Sequence, residues 1–151
     1  MEGREEKKSN DIFYLCSLID YIARKTKNHR VAVVDALGTD RLEKIYELAD
    51  IYHSDNIDAV ADDFIKQACI QTGDFDNVAV ARYSVPTHWD IGKVYKRLVI
   101  AIMKDENCDV VTAVQKAYHS FVSEKIDDYN SSVFYDNPQN IFLFYKTGSL
   151  I

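Results

Sequence analysis

His53 and Asp55 lie in one short stretch, and Asp58, Asp62 and Asp63 follow directly. Imidazole nitrogens and carboxylate oxygens are ligands for a divalent cation, so this is the first place where the chain could do chemistry. The spacing fails the stricter tests: there is no HExxH and no glycine-bearing EF-hand loop. Asp58 and Asp62 stand four apart on one expected solvent face, which reads as capping residues and an acidic surface. A second candidate is the run YSVPTHWD at 83–90, where His88 precedes Trp89, the one tryptophan. A Trp–His pair in a loop can line a pocket or a contact surface. Proton transfer at His88 would need a positioned partner. Gln115, His119 and Ser123 form a polar row on one helix face. Ser–His chemistry requires an orienting acid and an oxyanion site, and no GxSxG occurs, so no catalytic residue is expected there.

Five basic or imidazole side chains, Arg24, Lys25, Lys27, His29 and Arg30, precede VAVVDALGTDRLEKIYEL at 31–48. That run has the outline of a helix-turn-helix, with Gly38 at the turn. Its second helix would present Asp40, Glu43 and Glu47 beside Arg41 and Lys44, a poor match to a phosphate-lined groove. The net charge of −6 likewise disfavours broad nucleic-acid binding. A helix-turn-helix-like DNA-binding regulator therefore stands as an alternative, beside a metal-dependent enzyme using His53 or His88 with nearby aspartates.

The end of the chain is dense in apolar and aromatic residues: Val133, Phe134, Tyr135, Ile141, Phe142, Leu143, Phe144 and Tyr145. A run apolar on all sides implies full burial, whereas aromatic patches also mark protein interfaces. Phe134, Tyr135, Phe142 and Tyr145, with His88 and Trp89, are the candidate interaction residues.

The elements that must position these residues are helices. Only two prolines and five glycines occur in 151 residues, and apolar residues recur at helical spacing nearly throughout. The pattern predicts helices over 11–26, 29–37, from 40 to about 52, 57–70, 90–104 and 109–129, and a last one opened by Asn137–Pro138 and closed by Gly148. Asp90 is the expected N-cap of the fifth. The stretch 71–90 carries the weakest pattern and is the expected boundary between an N-terminal half, 11–82, and a C-terminal half, 83–151. Residues 1–10 (MEGREEKKSN) read as a disordered tail. The fold class is thus all-α: a compact bundle of six or seven helices in two packed halves.

Five scattered glycines provide no GxxxxGK[ST] or GxGxxG loop, so no nucleotide-cradling turn and no cofactor are expected. Cys16, Cys69 and Cys108 sit in or beside apolar runs without CxxC spacing and read as reduced thiols. No apolar run is long enough to span a bilayer and the first residues lack a signal sequence, so a soluble, cytoplasmic protein is expected.

From Ile12 to Ile70 the chain resembles small all-helical bacterial proteins of uncharacterised function, some encoded at toxin–antitoxin loci. The likeness is carried by an amphipathic opening helix and by KIYELADIYHSDNIDAVADDFI, with its Tyr–His turn before an acidic helix. It implies an interaction or regulatory role of an antitoxin-like kind, and assigns no catalytic residue. The expectation is a non-enzymatic protein-protein interaction or regulatory module, acting on a protein partner or as a homo-oligomer.

Overall fold

Helix α1 is the axis on which the rest is built. A computed structural model describes residues 2–150; Met1 and Ile151, at the two ends of the expected tail and C-terminal half, lie outside the described residues. α1 spans Glu2–Thr26, and Ile12, Leu15, Ile19 and Ile22 give it a fully buried stripe. It is followed by α2 (Arg30–Glu47), α3 (Ala49–His53), α4 (Ile57–Gln67), α5 (His88–Glu106), α6 (Val110–Tyr118), α7 (Phe121–Ile126), a 3₁₀ turn (Val133–Tyr135) and α8 (Pro138–Thr147). The class is all-α, a compact bundle, as the apolar spacing predicts.

α1 lies against α5, which carries α6 and α8 on its other sides, while α2 bridges α1 and α6. The two sequence halves therefore interleave through one continuous core, with Leu15 and Ile45 from the first and Leu98 and Val114 from the second. The α1–α5 crossing is close because position 92 is glycine. A Cβ there would stand 1.9 Å from Ser17 Oγ and 2.9 Å from Ser17 Cα.

Residues 2–10, expected as a tail, instead form the opening turns of α1. Glu, Arg and Lys are strong helix formers, and a helix once nucleated by its buried portion propagates cheaply. Lys7 adds a hold by reaching Asp11 at 2.8 Å and Asp50 at 3.1 Å. The expected boundary at Gly38 is present inside the span of α2: its φ of 74° and ψ of 170° are non-helical and open to glycine alone, so two helical stretches meet there at a kink. The helix expected over 109–129 divides at Ser120, whose backbone is extended and whose hydroxyl bonds the Ala117 carbonyl at 2.6 Å in competition with the helix ladder. α5 begins two residues earlier than expected. Thr87 is its N-cap and Asp90 closes a capping box, with Thr87 Oγ1 accepting from Asp90 N at 3.0 Å and Asp90 Oδ2 from Thr87 N at 2.9 Å. Asn137, Pro138 and Gly148 cap α8 as their types require.

Two glycine substitutions test this packing. Gly92→Ala forces α1 and α5 apart and is expected to cost about 1–3 kcal/mol in urea unfolding. Gly38→Ala meets nothing in space but strains the backbone, at about 1–3 kcal/mol. Wild-type stability in Gly92→Ala would contradict the close crossing.

Candidate functional site

The strongest concentration of polar chemistry is inside the bundle, where periodicity alone would place only apolar groups. Asp20 on α1 is fully buried, and so is Arg30 at the start of α2. Arg30 Nε donates to Asp20 Oδ1 at 2.7 Å, and Arg24 Nε donates to Asp20 Oδ2 at 2.7 Å, so one carboxylate holds two guanidiniums. Tyr129 lies between them: its hydroxyl accepts from Arg24 Nη2 at 3.0 Å and from Arg30 Nη2 at 3.2 Å, and Arg24 also sits over its ring. Burial works against the Arg30 charge, but Asp20 and its neighbours outweigh it and hold the guanidinium above its ordinary value. Burial, then the Asp20 charge, pushes the Tyr129 phenol up to about 12. Tyr129 therefore serves the network as a neutral hydroxyl.

A second buried carboxyl, Asp127, has no guanidinium in contact. Its Oδ1 accepts from Tyr95 Oη at 2.7 Å, and the same phenol shares a 2.7 Å hydrogen bond with Ser123 Oγ. Burial raises the Asp127 carboxyl to about 7, with the Arg30 charge opposing.

The Asp20 network reaches the surface through Arg24, whose Nη2 also donates to the Pro86 carbonyl at 2.7 Å. Pro86 belongs to the irregular segment 68–87 between α4 and α5. Long unstructured connections inside compact domains are unusual and tend to be functional or disordered. This one is pinned. Gly73 N donates to Thr26 O at 2.8 Å and Phe75 N to Lys27 O at 2.9 Å. Asn77 Nδ2 donates to Asp127 O at 2.9 Å, and Arg82 N to Asn130 Oδ1 at 2.8 Å. Glycine is required at 73, where a Cβ would fall 2.3 Å from Asn28 Oδ1.

Between this pinned segment and the turn after α7 lies a groove of about 850 Å³. Pro86 and Tyr129 form its buried side, Val94 and Phe134 are half-buried in it, and the rings of Tyr83 and Tyr135 stand 70% and 71% exposed at its edge. Asp90, Asn130, Ser131 and Ser132 supply its polar margin. Val80, on the same segment, is 67% exposed.

The candidate interaction residues fall in three places. Phe134 and Tyr135 line the groove. His88 and Trp89, expected in a loop, form the first turn of α5 and join an aromatic cluster: Trp89 meets Phe13 at 5.6 Å and His53 at 5.9 Å, and His88 meets Tyr21 at 5.0 Å. Burial lowers the His88 pKa, and its Nε2 has no hydrogen-bond partner. Phe142 and Tyr145 stack on α8 at 6.0 Å, and the Tyr145 hydroxyl donates to Glu106 at 2.7 Å. The full burial expected of the aromatic run is confined to Val133, Ile141 and Phe144; Tyr135 and Leu143 face outward.

The acidic stretch is not assembled around a vacancy. Asp58 accepts from Tyr21 at 2.6 Å and from Lys25 at 2.7 Å, Asp62 takes Lys25 at 2.7 Å, and His53 packs apart on Tyr14 and Trp89. Asp55 is exposed. Among the described residues, no three His, Cys, Asp or Glu side chains are grouped to hold a metal ion. The basic cluster is likewise not a free patch: Arg30 is buried, and Arg24 and Lys25 are held by carboxylates, leaving Lys27 and His29 exposed. His119 pairs with Asp35 at 2.7 Å, away from Ser123. No helix among the described residues is long and apolar enough to cross a membrane. Comparison with protein-family models, curated proteins and solved structures finds no match.

Asp20, Asp127, Tyr129 and the groove beside Pro86 escape a reading by pattern. The available signal is Asp20 itself, a carboxylate inside the apolar run LCSLIDYIA, which calls for a buried cation.

Asp20→Asn leaves Arg30 buried without a counter-charge and is expected to cost about 3–5 kcal/mol in urea unfolding. Asp62→Asn, at an exposed pair, should change stability little. Asp127 sets a pH dependence of its own. Between the ordinary carboxyl value and about 7, the folded chain keeps a proton that the unfolded chain has released. Its contribution to stability therefore falls as pH rises through that window and is level above it. Unfolding at about pH 5 and about pH 8 should show Asp127→Asn gaining on wild type at the higher pH. Parallel pH profiles would show that Asp127 ionises normally.

Proposed function

We propose that the chain is a non-enzymatic protein-interaction module, regulatory in role and cytoplasmic, that receives a segment of a partner protein in the groove between 83–86 and 129–135. The observation that carries the reading is the pinned segment 68–87. It is hydrogen-bonded at several points yet turns Val80 and Tyr83 to solvent beside the exposed Tyr135. Exposed apolar surface of this kind, rimmed by polar groups, marks interaction sites and binding grooves. Rigid tyrosine rings bring contact area at low entropic cost. The groove's size suits a few anchoring side chains rather than a flat docking face. An antitoxin-like role, implied by the resemblance of residues 12–70, is one form of the reading, although the groove lies outside that stretch.

The test places a photo-crosslinking benzoylphenylalanine at position 83 or 135 in cells that produce the protein naturally, with position 44 on exposed α2 as the control. Discrete adducts are expected from 83 and 135 and none from 44. They should vanish when the exposed Ser132 is changed to Trp to fill the groove, in a variant of unchanged melting temperature. Adducts that persist with Ser132→Trp, or that are absent from both groove positions, would contradict the reading.

A further inference from the structure

The groove does not end at Val94. A smaller cleft of about 100 Å³ shares Val94, Phe134 and Tyr135 with it and continues to Arg97 and Pro138. At that end the groove meets the solvent face of α5, where Lys93, Arg97 and Lys104 follow at helical spacing with Lys96 alongside. Lys93, Arg97 and Lys104 are exposed and Lys96 half-buried. None of the four makes an ion pair or side-chain hydrogen bond among the described residues; Lys7, Arg24, Lys25, Arg30, Lys116 and Lys146 are matched to carboxylates, and the other unpaired cations, such as Lys44, Lys66 and Arg82, are scattered rather than gathered on one helix face. Lys96 sits 5.8 Å over the Phe13 ring, and burial together with the nearby Arg97 and Lys93 charges lowers its pKa. A chain of net charge −6 thus keeps four unpaired cations along about 16 Å of one helix; Arg97 lines the cleft itself, Lys96 leans towards Phe13, and Lys104 at the far end lines a separate cleft with Glu5.

Resting on the groove as the docking site, we propose that the partner segment is acidic: an apolar or aromatic anchor seated between Tyr83 and Tyr135, flanked by carboxylates that meet Arg97 and Lys93. The charge pattern favours a peptide over a nucleic acid. The groove's margin carries Asp90, tied to Thr87 N, and Asp136, which accepts from Asn140 Nδ2 at 2.9 Å. These two anions would repel a continuous phosphate backbone but leave separate side-chain carboxylates free to reach the stripe. Complementary charge of this kind speeds encounter and rejects wrong partners.

The test is selection from a random peptide display library on the intact protein, followed by affinity measurement of the enriched peptides by fluorescence anisotropy. Enrichment in Asp and Glu around an aromatic or leucine anchor is expected. Lys93→Glu/Arg97→Glu should weaken these peptides by about tenfold or more, and their glutamine analogues should bind the unmodified protein more weakly by a similar factor. Enriched peptides that are neutral or basic, or insensitive to the charge reversal, would overturn the acidic partner while leaving the groove standing if Ser132→Trp still abolishes binding. Peptides indifferent to Ser132→Trp, or no enrichment at all, would overturn both. A single-stranded DNA oligonucleotide that binds more tightly than every selected peptide, and loses affinity with the charge reversal, would assign the stripe to phosphate and overturn the proposal.

Discussion

One buried carboxylate holds this molecule in register. Asp20 is out of water, and an isolated charge there would be prohibitively unfavourable. It is tolerated because two guanidiniums and a phenol surround it, and each comes from a different part of the chain: Arg24 from α1, Arg30 from the start of α2, Tyr129 from the turn after α7. Apolar contacts supply most of the driving force for the bundle but are nondirectional. The network is directional: its ion pairs fix α1 against the start of α2, and its hydrogen bonds to Tyr129 tie that pair of helices to the C-terminal part of the chain. The network also reaches outward, since Arg24 Nη2 donates to the Pro86 carbonyl. The groove is in this sense an extension of the core: its buried side is built from the residues that the network grips.

Much of the fold is legible in the sequence because helices announce themselves by spacing. The stripe of Ile12, Leu15, Ile19 and Ile22 locates α1, and Gly38, Pro138 and Gly148 mark their boundaries because each has a conformation or a missing donor that dictates its place. The opening residues mislead because polar composition resembles disorder, although Glu, Arg and Lys extend a helix readily once the apolar part has formed it. The break at Ser120 is hidden because Phe121, Val122 and Ile126 continue the apolar pattern across it.

The candidate site is the least legible part. Arg24 and Arg30 look like members of a surface cluster, and only the tertiary position of Asp20 turns them into core residues. Tyr129 and Pro86 are far apart in sequence and are joined through Arg24, which bonds both. Phe134 and Tyr135 are noticeable as aromatics, but exposure of one and half-burial of the other follow from the 3₁₀ turn that separates their directions. The α5 cations are visible as a flank of a helix; that they make no ion pairs depends on the fold, which ties the nearby Asp90 to Thr87 and Asp136 to Asn140.

The Asp20 network shapes the groove through Arg24. Hydrogen–deuterium exchange on Arg24→Ala measures that directly, because Arg30 remains to hold Asp20 and the core. Faster exchange is expected only at the amides around 82–87 and 129–135, with α1, α5 and α6 as protected as in wild type. Unchanged exchange at the groove, or a loss of protection spread evenly over the bundle, would contradict it.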